Sequence, residues 1–248
     1  GVALAPLAFS ANGNKDFVAY LGTAGIQRKV EIITGAQTTT GTGTPMGTFV
    51  TNIIYPNNSS FVPQVPSISN NKILFYGDSI SVGGASVNPE YESYVTLLRT
   101  TYGFDTMLEG WGWRALYDDA YDATRRANFV SHMASTNPAT IWFAIGTNDY
   151  GLNKWNATDF GVAYGAVLDD LHAALPATRI ICQTPITRSY TGWNGTNMFV
   201  DYQTQIVNVC AARSSYTTTV NGITFMPLSD LPDGLHPSTA GNVKYANR

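Results

Sequence analysis

The sequence predicts an α/β protein: a three-layer α/β/α domain with a five-stranded parallel sheet, preceded by a small β-rich, jelly-roll-like segment. Three observations point there. From residue 72 onward, short apolar runs alternate with stretches of helical periodicity, the pattern of a parallel sheet covered on both faces. Some of these runs, such as Ile73-Leu74-Phe75-Tyr76, are continuously apolar, as strands buried on both faces are. Residues 1–55 instead carry β-branched and aromatic runs at 29–33 and 48–55, separated by a turn-forming stretch at 38–45.

The chain therefore divides into a β-rich segment or small sandwich at 1–55, a linker at 56–71 punctuated by Pro56, Pro63 and Pro66, and an α/β domain at 72–248. Strands are expected near 72–78, 105–109, 140–146, 179–184 and 222–227. Helices are expected near 90–101, 116–135, 158–175, 198–213 and 237–246. The helix at 158–175 has the strongest support, because Phe160, Tyr164, Val167, Leu168, Leu171 and Leu175 share one face and Pro176 stops it. Five such strands suit the flavodoxin-like order 2-1-3-4-5, which gathers functional groups at the carboxyl edge of the sheet.

Composition narrows the function classes. Charged residues make up only 12% of the 248 residues, about half the usual ~25%. Thr, Asn, Ser and Gly take their place, a style common in exported bacterial proteins, so a secreted or extracytoplasmic setting is expected. No complete leader is visible at the start of the chain. A net charge of −3 leaves no basic footprint for nucleic acid. No apolar run approaches the ~20 residues of a membrane span. Cys182 and Cys210 provide no disulfide framework; two buried thiols are the first reading and one bridge the second. No H-E-x-x-H, Cys/His ligand cluster or Walker loop is present, so no metal and no cofactor are expected.

The chemistry-bearing residues lie at strand ends. Ser79, in Gly77-Asp78-Ser79-Ile80-Ser81, directly follows the first buried run. A serine hydroxyl becomes a nucleophile when a base takes its proton and a third group aims that base. Asp233-Gly-Leu-His236-Pro supplies both on one short loop, with Asp233 to accept the Nδ1 proton and Nε2 left for Ser79; Asp230 is the alternative acid. His132 and His172 sit in helical stretches and read as ordinary helix residues. Two more segments follow strand-like runs: Gly110-Trp111-Gly112-Trp113 and Gly146-Thr147-Asn148-Asp149. Asp78 and Asp149 read as loop-bracing acceptors.

In these four blocks, correctly ordered over roughly residues 72–248, the chain resembles the SGNH (GDSL-type) hydrolase family. The resemblance implies the flavodoxin-like fold, Ser79, His236 and Asp233 as a catalytic triad, and an oxyanion hole made by the Ser79 N–H, a glycine-block N–H and the Asn148 side chain. The family pattern fits Gly112 better than Gly110. The β segment ahead of the blocks is similar in layout to some carbohydrate esterases. The expected activity is hydrolysis of short acyl esters, acetyl foremost, on a small-molecule or polysaccharide substrate. A general short-chain carboxylesterase or lipase-like enzyme is the alternative, and a carbohydrate-binding module with a vestigial triad is a third reading. Trp111, Trp113, Tyr150, Trp155 and Trp193 are candidate sugar-stacking rings, and Arg114 and Arg188 candidate donors to substrate. Core or rim packing is the competing reading for these aromatics.

Overall fold

The structure is a computed structural model and describes residues 71–189 and 199–248. The expected β-rich segment at 1–55, nearly all of the linker, and Trp193 lie outside the described residues. Within them the chain forms a five-stranded sheet in the order β2-β1-β3-β4-β5, every pair parallel.

Strand β1 (Ile73–Gly77) leads into a single turn, α1 (Ser79–Val82), then α2 (Pro89–Glu92), α3 (Tyr94–Thr100) and strand β2 (Thr106–Gly110). Next come α4 (Leu116–Ala120), α5 (Ala123–Ser135), strand β3 (Thr140–Ala144), α6 (Thr147–Gly151) and α7 (Ala157–Ala174). Strand β4 (Arg179–Gln183), α8 (Phe199–Ala211), strand β5 (Thr217–Val220) and α9 (Thr239–Ala246) complete it.

The continuous hydrophobicity of β1 has a direct cause. Its alternate side chains enter two separate cores, one on each face of the sheet. Leu74 and Tyr76 join Ile141, Phe143, Ile180 and Cys182 beneath α7 and α8. Phe75 points the other way, to Tyr94 of α3 and Tyr245 of α9. Helix α7 is the most apolar cover: Phe160, Tyr164, Val167, Leu168 and Leu171 are all fully buried. Each such burial contributes roughly 1.5–3 kcal/mol. Asn156 caps the helix, its side chain accepting from Asp159 N at 2.8 Å. Cys182 and Cys210 are buried and unbridged.

Three sequence expectations need correction. The fifth strand is Thr217–Val220, not 222–227. Its Thr-Thr-Thr run lies at the sheet edge with two residues exposed, so it lacks the apolar continuity of an inner strand. Residues Gly222–Thr224 instead form a 3₁₀ turn, because Asn221 accepts from Ile223 N at 3.1 Å. The helix expected at 116–135 breaks at Tyr121–Asp122, where Asp122 caps α5 by accepting from Arg125 N at 2.8 Å. The helix expected at 90–101 breaks at Ser93, which caps α3 through Thr96 N at 3.2 Å. In each case a short polar side chain offers the backbone a local partner that ends one helix and starts another.

The packing of α7 predicts that Leu168→Ala lowers stability by about 2–5 kcal/mol in urea denaturation, because the layer above β3 cannot collapse onto the void.

Candidate active site

The turn after β1 positions Ser79. Asp78 has extended backbone angles and accepts from Ile80 N at 2.9 Å, so it caps α1 and turns the chain sharply out of the sheet. Gly83, at φ 91, ends the turn in the left-handed conformation that glycine tolerates. The Ser79 hydroxyl therefore stands just beyond the carboxyl end of β1, an inner strand of the sheet.

His236 reaches that end from 157 residues farther along the chain. Ser79 Oγ lies 2.8 Å from His236 Nε2, and His236 Nδ1 lies 2.6 Å from Asp233 Oδ2. The other Asp233 oxygen accepts from His236 N at 2.7 Å and Leu235 N at 2.9 Å. Gly234, at φ 75, closes the tight turn between them. The Asp-Gly turn is thus the device that presents the acid and the imidazole together. Burial works to raise the Asp233 pKa, but hydrogen bonds from the His236 ring and from the His236 and Leu235 amides outweigh it and hold the carboxyl below its ordinary range. An ionised Asp233 accepts the Nδ1 proton, which leaves Nε2 with a lone pair toward the Ser79 hydroxyl. Asp230, the alternative acid, instead pairs with Lys244 Nζ at 2.7 Å.

Asn148 sits on α6, at the carboxyl end of β3, and is buried. One of its amide hydrogens goes to Arg114 O at 3.0 Å, which fixes the plane of the group and leaves the second hydrogen available. Asp149 beside it is fully buried and accepts from both Leu116 N at 2.9 Å and Tyr117 N at 3.0 Å. The pair Asn148–Asp149 therefore grips residues 114–117, the segment just beyond the glycine block. The two glycines of that block differ. A side chain at Gly110 would press within 3.0 Å of Gly77 O, so close strand packing accounts for glycine there. Gly112 faces open space, and among the described residues its N–H has no acceptor.

Burial pushes Asp78 up to about 6 and Asp149 up to about 7, against the backbone amides that each accepts from. Both brace loops, as their place in the sequence suggests.

The expected substrate residues scatter. Arg114 is 2% exposed; it bonds Asp119 at 2.8 Å and Glu109 O at 2.7 Å and stacks over Tyr76 at 4.2 Å. It is a core strut, not a surface donor. Tyr150 is also in the core, against Phe199 and Tyr202. Trp155 packs edge-on to Tyr117 at the margin of the core. Trp111 is half-buried beneath the Arg114 guanidinium, 3.5 Å away. Arg188 donates to Thr147 O at 3.1 Å and lies over the Tyr150 ring. Among the described candidates, Trp113 alone stands well out, 59% exposed, at φ 67. Adjacency to a motif suggested surface placement for all of them, but sheet packing drew the arginine and the tyrosine inward. His132 meets Glu109 at 3.2 Å and His172 stacks on Tyr216 at 3.9 Å, each on its own helix and away from Ser79.

One residue escaped the sequence reading. A Cβ at Gly84 would come within 2.9 Å of His236 Cδ2 and 3.2 Å of Nε2. The doubled glycine at 83–84 was the available signal.

With this geometry in place, the chain can be set against known proteins. A family model for GDSL-like lipases and acylhydrolases matches residues 75–244, and the chain belongs to that family of ester hydrolases. A carbohydrate esterase of family 3 from Talaromyces cellulolyticus is 19% identical, with a TM-score of 0.52 over 71% of this chain and 93% of its own. An acetyl esterase variant with bound acetate is 20% identical, at 0.55 over 71% and 93%. A family 2 carbohydrate esterase from Clostridium thermocellum, in complex with cellohexaose, is 23% identical, at 0.52 over 72% and 62%. At these identities the likeness is one of fold. No curated protein matches the sequence.

Two predictions arise from the site. Gly84→Ala should lower kcat about 10- to 100-fold with little change in thermal stability, because the ring held at both nitrogens must shift by a fraction of an ångström; steady-state kinetics and a melting curve check it. The second concerns pH. Unfolded, Asp78 and Asp149 release their protons near the ordinary 3.8; folded, they hold them to about 6 and about 7. Between those values the unfolded state binds fewer protons, so this part of the stability is full below pH 3.8 and is lost as pH rises through 6 to 7. Denaturation of wild type and Asp149→Asn from pH 4 to 8 should show a less negative slope in the variant.

Proposed function

We propose that the protein is a serine esterase that removes short acyl groups, acetyl foremost, from a carbohydrate through an acyl-serine intermediate. The observation that carries the reading is the continuous relay from Ser79 Oγ to His236 Nε2 at 2.8 Å and from His236 Nδ1 to Asp233 Oδ2 at 2.6 Å. Family membership makes ester hydrolysis the reaction class.

In this reading Ser79 Oγ attacks the ester carbonyl as its proton passes to His236 Nε2. Charge on the carbonyl oxygen is met by the N–H groups of Ser79 and Gly112 and by the free amide hydrogen of Asn148. The C–O bond to the sugar breaks, and the departing oxygen takes the proton back from Nε2. Water then gives a proton to the same nitrogen and attacks the acyl-serine. Collapse releases the carboxylic acid and returns the proton to Ser79. Asp233, held ionised, stabilises the imidazolium at both stages.

The carbohydrate assignment rests on Trp113, an exposed ring in a sparsely populated backbone conformation beside Gly112. A bulky residue at positive φ is a costly arrangement that persists where surroundings hold it. An aromatic face at a hydrolytic cleft suits the apolar C–H face of a sugar. The fold shared with two carbohydrate esterases and an acetyl esterase agrees. The charge-poor composition, 12% Asp, Glu, Lys and Arg, supports an exported enzyme.

Release of acetate from acetylated glycans, with Ser79→Ala as control, tests the reading. Ser79→Ala should abolish turnover, and Asn148→Ala should lower kcat about 10²–10³-fold. In a p-nitrophenyl ester series, activity should fall steeply beyond butanoate. Equal turnover of acetate and decanoate esters would point to a general lipase-like enzyme instead, and a folded wild type that no fluorophosphonate labels would point to a binding module.

A further inference from the structure

Among the described buried polar side chains that the reaction above leaves without a part, Asn242 has the most hydrogen-bond partners. It lies in α9, six residues after His236, and is 0% exposed. Its Oδ1 accepts from Tyr94 N, at the start of α3, at 3.0 Å. Its Nδ2 faces three acceptors: Ser86 Oγ at 2.9 Å, Pro237 O at 3.2 Å and Ser238 O at 3.2 Å. The orientation of the amide is unambiguous, because a backbone N–H meets one end and two carbonyls the other. A buried amide is costly unless it is satisfied, and this one is satisfied by three separate stretches of chain.

Two of those stretches carry the reacting groups. Pro237 is the residue after His236. Ser86 belongs to the turn that follows Ser79, the same turn whose Gly84 meets the His236 ring. We propose that Asn242 is a positioning residue for acyl transfer, fastening the base-bearing loop to the nucleophile's own turn and so setting the separation between Ser79 and His236. The inference rests on the reading of Ser79 as nucleophile and His236 as base. Neither residue touches Asn242; it acts through backbone carbonyls and one hydroxyl. A base must lie within hydrogen-bond reach of the proton it takes, and a misplacement of 1 Å costs about 10²-fold.

A second, more exposed tie joins the same two stretches farther out. Thr239 Oγ1 donates to Glu92 Oε2 at 2.7 Å and accepts from Val87 N at 3.4 Å. It does not reach the carbonyl beside His236, so it serves as the control.

Asn242→Asp separates positioning from general stability. It keeps the oxygen toward Tyr94 N but sets a second oxygen against the Pro237 and Ser238 carbonyls, which require a donor, and leaves only the Ser86 hydroxyl able to turn and donate. The measurements are kcat and KM on p-nitrophenyl acetate, and both the rate and the end point of fluorophosphonate labelling, on the full chain. The expected result is a fall of about tenfold or more in kcat and labelling rate, with KM nearly unchanged and labelling still reaching one per chain. Thr239→Ala should react like the wild type. A purely structural role would lower the labelled fraction while the remaining molecules reacted at full rate. That result, or wild-type rates in Asn242→Asp, overturns the proposal. Should Asn242→Asp fail to fold, Asn242→Ser, too short to span the same partners, is held to the same criteria. A wild type that neither hydrolyses the ester nor takes the label overturns the reading of Ser79 itself, and the proposal with it.

Discussion

The register of three parallel strands is the constraint on which the site depends. Gly77 of β1 stands level with Gly110 of β2 and Ala144 of β3. Neighbouring strands lie about 4.8 Å apart, so three chains leave the sheet side by side at one height. Ser79 and Gly112 each stand two residues beyond the level pair, and Asn148 four beyond it. A shift of one residue in either pairing would exchange the faces of a whole strand and move its loop out of line with its neighbours. The close approach of Gly110 to Gly77 O is part of the same constraint, since a larger residue would push the two strand ends apart.

His236 belongs to none of these strands, and its placement needs separate support. The loop that carries it is anchored at several points. Ser189 N donates to Gly234 O at 2.8 Å, and Ser238 N donates to Asp230 O at 3.0 Å. Asp230 in turn holds Lys244 on α9. Because each bond is individually modest, of order 1 kcal/mol, precision comes from several short ties acting on one rigid turn. Gly234 supplies both a left-handed backbone angle and the room that Ser189 fills, whereas Gly84 supplies room for the imidazole.

Much of the polar interior beneath the site is hydrogen-bonded. Ser81 Oγ and Tyr94 Oη share a hydrogen bond of 2.8 Å, and Gln183 links the indole of Trp142 to the hydroxyl of Tyr245. Such a network holds side chains in single orientations, because each alternative leaves a buried group unpaired. Asp78 and Asp149 belong to the same interior, and burial rather than any neighbouring charge leads their upward shifts. The site thus rests on a rigid, buried floor, while Trp113, the neighbour of Gly112 in the chain, is exposed.

Much of this was legible in the amino-acid order. Strands β1, β3 and β4 announce themselves because inner strands are apolar on both faces, and α7 because one face of a helix must be. The four motif blocks are legible because reacting groups in an open α/β sheet cluster where strands end. Edge strand β5 was not legible, since Thr217–Val220 has one side open to water and needs no apolar continuity. Nor were the helix breaks at Ser93 and Asp122, which hang on single capping bonds. The sequence by itself thus determined the class of fold, the order of its inner elements and the residue types available for chemistry. Only the tertiary structure decided that Arg114 and Tyr150 turn inward, that Gly84 stands against the imidazole, and that residues 79 and 236 meet at 2.8 Å. Those outcomes depend on contacts between segments far apart in the chain, and local periodicity carries no information about them.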